Sequence, residues 1–347
     1  MESRSPSLEL QAIVTDENGI KRIELSVNGL PLEGGRDIRV GPKPNEHKTV
    51  IRRSIPLSQA NTSIRIVAYN NEDLVSEEII EVKRIMTLPK IYAVVIGVGN
   101  YENRNIRRLN YTVEDAKGFA DYLKSYLGVP EQNVIFLTDN SATLSEIKSA
   151  IGTKLRERVG PEDQVYVFFA GHGAVEEDSQ NLDGDGMEKY LLPVDTNPMD
   201  LYATALPMQE IAKMFDRIPS KRIVFIADTC YSGAAGGRTI TTANRRATIS
   251  GKFLDRVVSG GEGRIILAAS GPNEVSQEDS KLGHGVFTYY LLEGLRGKAD
   301  SNQDGFVSCG EVYQYLTQEV PKATRNNQHP VLKAEAKGEI FIGQVRH

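Results

Sequence analysis

A thiol and an imidazole become a hydrolytic pair when two rigid elements present them to the same point. The chain has 347 residues, with two cysteines and five histidines. One of each stands just past a long apolar run. Val165-Tyr166-Val167-Phe168-Phe169-Ala170 leads into Gly171-His172-Gly173. Ile223-Val224-Phe225-Ile226-Ala227-Asp228-Thr229 leads into Cys230-Tyr231-Ser232-Gly233. Runs of this kind read as strands buried on both faces. Each reactive side chain then sits beyond the carboxyl end of a strand, where open α/β sheets bind their ligands. If the two strands are neighbours, His172 and Cys230 face each other. A cysteine attacks a carbonyl as its thiolate, and a nearby imidazole favours the thiolate and protonates the leaving amine. The backbone N–H groups of Gly173 and Cys230 are the candidate oxyanion donors. Glycines 171, 173 and 233 allow tight turns and close approach of a substrate backbone. Alone, either side chain would read as ordinary core. The pair, each at a strand end among glycines, reads as a site.

The flanking pattern supplies the elements that must hold them. From Lys90 onward, strands are expected at Ile91–Ile96, Val134–Leu137, Val165–Phe169, Ile223–Ala227 and Ile265–Ala268, with a final one at Glu339–Ile342. Helical spacing is expected over Thr112–Leu127, Thr143–Arg156, Pro207–Phe215, Phe287–Leu295 and Gly310–Val320. Thr112-x-x-Asp115 and Thr143-x-x-Glu146 fit capping boxes. Alternating strands and helices predict a mainly parallel sheet with helices on both faces. Residues 1–85 differ. Five short alternating runs (Leu8–Val14, Ile20–Val27, Thr49–Ile55, Ser63–Ala68, Val75–Val82) are separated by polar turns, which predicts a small antiparallel, immunoglobulin-like β-sandwich. Two domains follow, 1–85 and 90–347. The sandwich reads as an interaction or regulatory module, or as a buttress.

Composition narrows the classes. Apolar residues are 40% and charged residues 25%, ordinary for a globular protein. A net charge of -5 gives no global basic field, so nucleic acid and anionic membranes are not expected partners. No apolar run approaches the ~18 residues of a membrane span. Two cysteines without framework spacing point away from a disulfide scaffold and toward a reducing, cytoplasmic setting. Gly97-Val98-Gly99 lacks the rest of a phosphate-binding glycine pattern.

The boxes Phe-Ala-Gly-His-Gly and Asp-Thr-Cys-Tyr-Ser-Gly resemble the His-Gly and Asp-x-Cys-x-x-Gly boxes of caspase-like peptidases, and most of all the bacterial metacaspase branch. Supporting pieces are Tyr92–Gly97, Val113–Ala116, Tyr190–Asp195 and Gly285–Thr288. The resemblance covers about residues 90 to 345. It implies a caspase fold with a six-stranded sheet, cysteine endopeptidase activity on protein or peptide substrates, and a Cys230–His172 dyad with no obligatory third residue. It also implies an acidic S1 pocket lined by Asp115 and Asp228, hence cleavage after Arg or Lys. Asp115 has the capping box as its other reading, and Asp228 that of a hydrogen-bonded strand-end carboxylate. Ala170 stands where metacaspases often carry serine. The Gly/Ser/Thr-rich stretch after the nucleophile holds Arg238 and Arg246, which are either autocleavage sites or part of an uncut loop. The rival to the whole reading is an inactive caspase-like scaffold that binds protein partners.

One motif belongs to other chemistry. Asp300 to Glu311 fits a twelve-residue calcium loop, with Asp300, Asn302, Asp304, Ser308 and Glu311 as side-chain ligands, the Phe306 carbonyl between them and Gly305 at the sharp turn. It reads as a calcium site or as an ion-free turn; calcium is the one expected cofactor. The acidic loop from Glu176 to Glu188 is open to the same two readings. The activating calcium site of metacaspases does not carry over onto Ala203–Glu210. His284 precedes a helix rather than ending a buried strand, and Cys309 has no histidine beside it in sequence, so neither is taken into the dyad.

Overall fold

The computed structural model describes residues 1–3, 7–31, 47–57, 61–84, 89–178, 186–229, 239–241, 258, 263–271, 274, 276–335 and 340–345. The chain divides into two compact units, Met1–Leu88 and Pro89–His347.

In the first unit each of the five alternating runs forms a strand. β1 is Glu2–Ser3, β2 Ser7–Thr15, β3 Ile20–Val27, β4 Leu30–Pro31, β5 Lys48–Pro56, β6 Asn61–Asn70 and β7 Val75–Arg84. One sheet has the order β1-β7-β6-β3-β4, and β2 pairs with β5 in a second. Alternation does the sorting: Ile64 and Ile66 are buried while Arg65 between them is exposed. Leu10, Ile51 and Ile55 of the second sheet share one core with Ile23, Leu25, Ile64, Ile66 and Val82 of the first. Two sheets around one core make a β-sandwich.

The second unit is built on a six-stranded sheet. Its elements are β8 (Ile91–Gly97), α1 (Thr112–Ser125), β9 (Val134–Thr138), β10 (Gln164–Ala170), β11 (Gly173–Glu177), β12 (Met187–Leu191), α2 (Met208–Asp216), β13 (Arg222–Asp228), β14 (Arg264–Ala268), α3 (Val286–Glu293), α4 (Cys309–Ala323) and β15 (Val331–Glu335). A further helical run starts at Leu144–Ser149 and continues through a π-helical Ala150–Leu155. The sheet order is β15-β14-β13-β10-β8-β9. Five strands are parallel and β15 is antiparallel.

The apolar runs supply both faces of this sheet at once. Val94, Ile96, Val167, Phe169, Phe225 and Ala227 pack with Ile147, Ile151, Ile211 and Phe215. Their neighbours in sequence, Val95, Phe168, Val224 and Ile226, pack with Phe119 and Leu123 of α1, Phe287 of α3 and Leu316 of α4. Phe119 stacks on Phe168 with ring centroids 4.9 Å apart. Each such side chain contributes about 1.5–3 kcal/mol by burial, so the helices are held to both faces. Beside the sheet, β11 pairs with β12 and with Thr239–Thr241.

Two local expectations fail. The last strand runs over Phe341–Gln344 and pairs with Phe306–Ser308. The sixth strand of the main sheet is β15 instead. Its Val-Leu-Lys-Ala-Glu sequence is only partly buried, because an edge strand has no need of a continuous apolar run. The capping box at Thr112 does not form either: α1 is capped at Tyr111 without a side-chain bond. At the next helix Thr143 does cap, its hydroxyl accepting from the Glu146 N–H at 3.2 Å.

Gly97 ends β8 where α1 crosses it. A Cβ there would lie 2.5 Å from the Thr112 carbonyl oxygen and 2.8 Å from the Ala116 Cβ. Gly97→Ala is therefore expected to destabilise the protein by about 1–3 kcal/mol, seen as a lower denaturation midpoint at unchanged slope. An unchanged midpoint would mean that α1 does not pack this closely.

Candidate active site

Parallel pairing aligns the carboxyl ends of the central strands. Ala170 stands opposite both Gly97 and Asp228. The ladder continues past the strands, with the Val98 N–H donating to the Ala170 carbonyl at 2.8 Å and the Gly171 N–H to the Asp228 carbonyl at 3.3 Å. From this row three segments emerge: a loop over 98–111, then Gly171-His172-Gly173, then Thr229. Cys230 itself, and the loop residues Arg238 and Arg246, lie outside the described residues.

His172 is 1% exposed and is held through its backbone and through one edge of its ring. Its backbone N–H donates to Tyr101 Oη at 2.8 Å, and its carbonyl accepts the Leu192 N–H at 3.1 Å. The Tyr101 ring lies against the imidazole, centroids 5.4 Å apart. On the ring, Nε2 is 2.7 Å from the Arg107 carbonyl oxygen. A carbonyl only accepts, so Nε2 carries the proton of the neutral imidazole and Nδ1 holds the lone pair. The Arg107 carbonyl is itself fixed. Asp139 Oδ1 accepts the N–H groups of Gly99 and Asn100 at 2.8 and 2.9 Å. The Glu102 N–H donates to the Val194 carbonyl and the Leu109 N–H to the Gly99 carbonyl, both at 3.0 Å. The group that holds the imidazole edge went unread in the sequence because it is a main-chain oxygen, which has no residue-type signature. Gly171 has a packing reason to be glycine: a Cβ would meet the Phe169 ring at 3.0 Å and Tyr101 Oη at 3.1 Å. Gly173 opens β11, paired with Leu191 and Thr239.

Asp115 and Asp228 are both 0% exposed. Asp228 Oδ1 accepts from Ser276 Oγ and Oδ2 from Thr288 Oγ1, each at 2.6 Å. Asp115 Oδ1 accepts the Gly285 N–H at 2.9 Å and lies 2.9 Å from His284 Nδ1. So Asp115 does not cap its own helix; it reaches across to another segment. The Val286 N–H donates to the Gln277 carbonyl, which closes a hairpin over 277–286. The two carboxylates thus hold one stretch, Asp228 at Ser276 and Thr288 just outside the hairpin and Asp115 at Gly285 within it. Glu278 in that hairpin accepts the N–H groups of Asn110 and Tyr111 at 3.1 Å, tying it to the start of α1. Ser276 and Glu278 went unnoticed in the sequence, each a common polar residue with no motif around it; Thr288 entered only as the end of the Gly285–Thr288 piece.

A family model described as Caspase domain, of the Peptidase C14 group, matches residues 90–341. The chain belongs to the caspase-domain family. Among curated relatives, Metacaspase-1A of Aspergillus oryzae is 27% identical over 151 residues, which takes in 41% of this chain and 34% of that protein. Metacaspase-1 of Eremothecium gossypii is 29% identical over 153 residues, 41% of this chain and 32% of that protein. The chain thus spans about a third of the length of these relatives. Among solved structures, a Geobacter sulfurreducens protein superposes with a TM-score of 0.53 at 16% identity, covering 74% of this chain and all of the other. Caspase-1 from Spodoptera frugiperda gives 0.51 at 14%, covering 74% of this chain and 91% of its own. Both show the fold, and the expected α/β architecture with its six-stranded sheet is the one the caspase-domain unit has.

The candidate calcium loop lies at the far end of this unit in sequence. Asp300 Oδ2 accepts the Gly305 N–H at 3.1 Å, Asn302 Oδ1 the Asp304 N–H at 2.9 Å and Asp304 Oδ1 the Phe306 N–H at 2.8 Å. Gly305 has φ +82°, the conformation that position requires. Asp300 Oδ1 is buried with no hydrogen-bond partner, which suits a cation ligand. Glu311 is turned elsewhere. One oxygen accepts from Ser308 N–H and Oγ, and the other from Ser301 N–H and Oγ. Burial pushes its carboxyl up, but these hydrogen bonds outweigh that and hold it below the ordinary value. With Glu311 so placed, no three His, Cys, Asp or Glu side chains converge on a metal position among the described residues. The donors present fit calcium in type; Glu311 fits only after it leaves its capping contacts. Of the acidic loop at 176–188, residues 179–185 lie outside the described residues.

Cys309 opens α4 inside this loop and is buried in the core with Val312 and Leu316. Burial pushes its thiol up to about 12, so its thiolate is scarce at neutral pH. Iodoacetamide at pH 7 is expected to leave Cys309 unmodified in the folded protein and to modify it in denaturant, as read by peptide mass mapping. Modification of native protein at Cys309 would mean that this face of α4 opens.

Proposed function

We propose that the chain is a cysteine endopeptidase in which His172 Nδ1 takes the proton of Cys230. The observation that carries this is the hydrogen bond from His172 Nε2 to the Arg107 carbonyl. It selects one tautomer and aims the basic nitrogen, and it does so on the strand adjacent to the one that leads to Cys230. Ala170 and Asp228 are paired in register, and each reactive residue follows two positions later. The thiolate attacks the scissile carbonyl, and the N–H groups of Gly173 and Cys230 stabilise the oxyanion. The imidazolium then gives its proton to the leaving amine, and water releases the acyl group from sulfur.

The P1 residue is Arg or Lys. Asp115 and Asp228 are both buried carboxylates, and Asp228, the last residue of β13, accepts from Ser276 Oγ and Thr288 Oγ1. A guanidinium or ammonium entering beside it gains charge-assisted hydrogen bonds in a site shielded from water. Arg238 and Arg246 are then sites for self-cleavage. The loop at 300–311 binds calcium once Glu311 turns inward, chiefly to stabilise the unit. The N-terminal sandwich docks a regulatory protein; Ile13 and Val50 pair across its β2–β5 ribbon at 57% and 44% exposure.

Two matched fluorogenic peptides, with P1 Arg and P1 Asp, test the main reading on purified protein. Turnover of the Arg peptide, at least 10³-fold above the Cys230→Ala and His172→Ala variants, is expected. Equal loss of both peptides in all proteins, with no labelling of Cys230 by a peptidyl electrophile, would instead leave a binding scaffold. Mass spectrometry of the active sample reads cleavage at Arg238 and Arg246. Residues 89–347 alone, assayed beside the full chain, report whether the sandwich regulates.

Calcium has its own readout. Millimolar calcium is expected to raise the melting temperature relative to chelator, and Glu311→Gln to abolish that rise. An equal melting temperature in both conditions removes the site.

A further inference from the structure

The N-terminal sandwich is open along one strand edge. Among the described residues β2 pairs with β5 alone. The Asp16 N–H donates to the His47 carbonyl at 3.1 Å, one step beyond the Thr15–Lys48 pair. In an antiparallel pair such bonds fall at every second residue. Leu10, Ala12 and Val14 therefore bond to β5, while Glu9, Gln11, Ile13 and Thr15 turn their N–H and C=O groups to the free edge. An edge of this kind is ordinarily guarded against a new strand by Lys or Pro. Residues 8–16, Leu-Glu-Leu-Gln-Ala-Ile-Val-Thr-Asp, contain neither.

A groove of about 470 Å³ runs along this edge. Residues 10–16 line one side, and Ile66, Ala68, Glu78 and Ile80 of β6 and β7 line the other. Its apolar surface is only partly covered: Val14, Ala68 and Ile80 are half-buried, and Leu74 and Val75, which also line it, are 63% and 56% exposed. Its charges are negative. Asp16 and Glu78 line it, and no Lys or Arg does. Asp16 accepts the Asn18 N–H at 2.8 Å and faces the Asn70 amide at 3.4 Å, neutral donors that leave its charge in place. The Glu78 carboxylate makes no hydrogen bond or ion pair among the described residues. The cations nearby are engaged or lie elsewhere. Lys21 pairs with Asp73, Arg22 with Glu24 and Arg65 with Glu77. Lys48, Arg52 and Arg53 belong to β5, on the other side of β2 from the free edge.

We propose that this groove takes an extended segment of another protein, laid along β2 as an added strand, with apolar side chains at alternate positions and a Lys or Arg among them. The outward N–H and C=O groups of β2 supply main-chain bonds, and the groove reads alternate side chains. Ile66, Ala68 and Ile80 receive the apolar groups; Glu78 and Asp16 receive the cation. A second copy of this chain fits less well, because β2 against β2 would bring together two edges that carry carboxylates and no cation. The inference rests on the reading of the sandwich as a docking module, and adds the place and the partner's chemistry.

The full chain carrying Cys230→Ala, to spare the probe from cleavage, is titrated against a fluorescein-labelled nonapeptide. The probe has Val, Lys, Val and Ile at alternate positions with Thr between them, and a twin has Glu in place of Lys. By anisotropy the Lys peptide is expected to bind about 3- to 10-fold tighter than its twin at low salt, the ratio falling toward one at 0.5 M salt. Glu78→Lys, an exposed change, is expected to invert the preference. Gln11→Pro removes an outward N–H without touching the β5 ladder, and is expected to weaken binding at least about 10-fold. Hydrogen exchange over residues 8–16 is expected to slow when the Lys peptide is bound. Binding of neither peptide, or a ratio unmoved by Glu78→Lys, overturns the groove. So does a concentration-dependent dimer that Gln11→Pro abolishes, since a second copy is then the occupant. Binding that survives Gln11→Pro but is lost in Val50→Ser, on the outer face of the ribbon, overturns the groove while the sandwich remains a docking module. The docking reading itself is judged apart from the probe, by the comparison of residues 89–347 with the full chain.

Discussion

A strand buried on both faces cannot slip by one residue without exchanging its two sets of side chains. In this chain that constraint governs β8, β10 and β13. Phe168 belongs to one face and Phe169 to the other, and each has helices waiting for it. The register that satisfies both faces puts Gly97, Ala170 and Asp228 in one row. Everything in the candidate site hangs from that row: the loop carrying Tyr101 and Arg107, the histidine, and Asp228. The packing core thus sets the geometry of groups that do not themselves belong to it.

The polar layer above the row uses a different device. Buried carboxylates are costly unless donors meet them, and here the donors come from a segment far away in sequence. Asp228 takes Ser276 and Thr288; Asp115 takes Gly285 and lies against His284. One hairpin is pinned at its flanks and at Gly285, and Glu278 returns the tie to α1. The carboxylates that order the hairpin are the same two that the proposed P1 recognition uses. The structural and the recognition readings of Asp115 and Asp228 are therefore compatible, since a carboxylate oxygen has lone pairs for more than one donor.

What was legible in the sequence follows from these physics. Period-two alternation and long apolar runs are whole-segment signals, so the five long sandwich strands and the parallel core were readable to within a residue or two, while the two-residue strands Glu2–Ser3 and Leu30–Pro31 were not. Edge strand β15 was not, because half-buried Val-Leu-Lys-Ala-Glu lacks that signal. Short-range motifs misled where a long-range partner won: Thr112-x-x-Asp115 has the spacing of a capping box, yet Asp115 is claimed by Gly285. Glu311 shows the converse. Read as a calcium ligand, it forms a capping box with Ser308, a local pattern equally present in the sequence. The Arg107 carbonyl was invisible in principle, since every residue has one.

That last point bears on how such sites are assembled. Had the group orienting the imidazole been an aspartate, it would bring a charge that itself needs satisfying in a buried setting. A carbonyl brings a dipole, costs less to bury, and fixes the tautomer as firmly because it cannot donate. The requirement then moves from residue type to backbone placement. The loop at 98–111 meets it through ties that tolerate many side chains: amides on Asp139, the Leu109 N–H on Gly99, and buried Ile106. The bond to the imidazole uses the main chain of residue 107 and not its side chain.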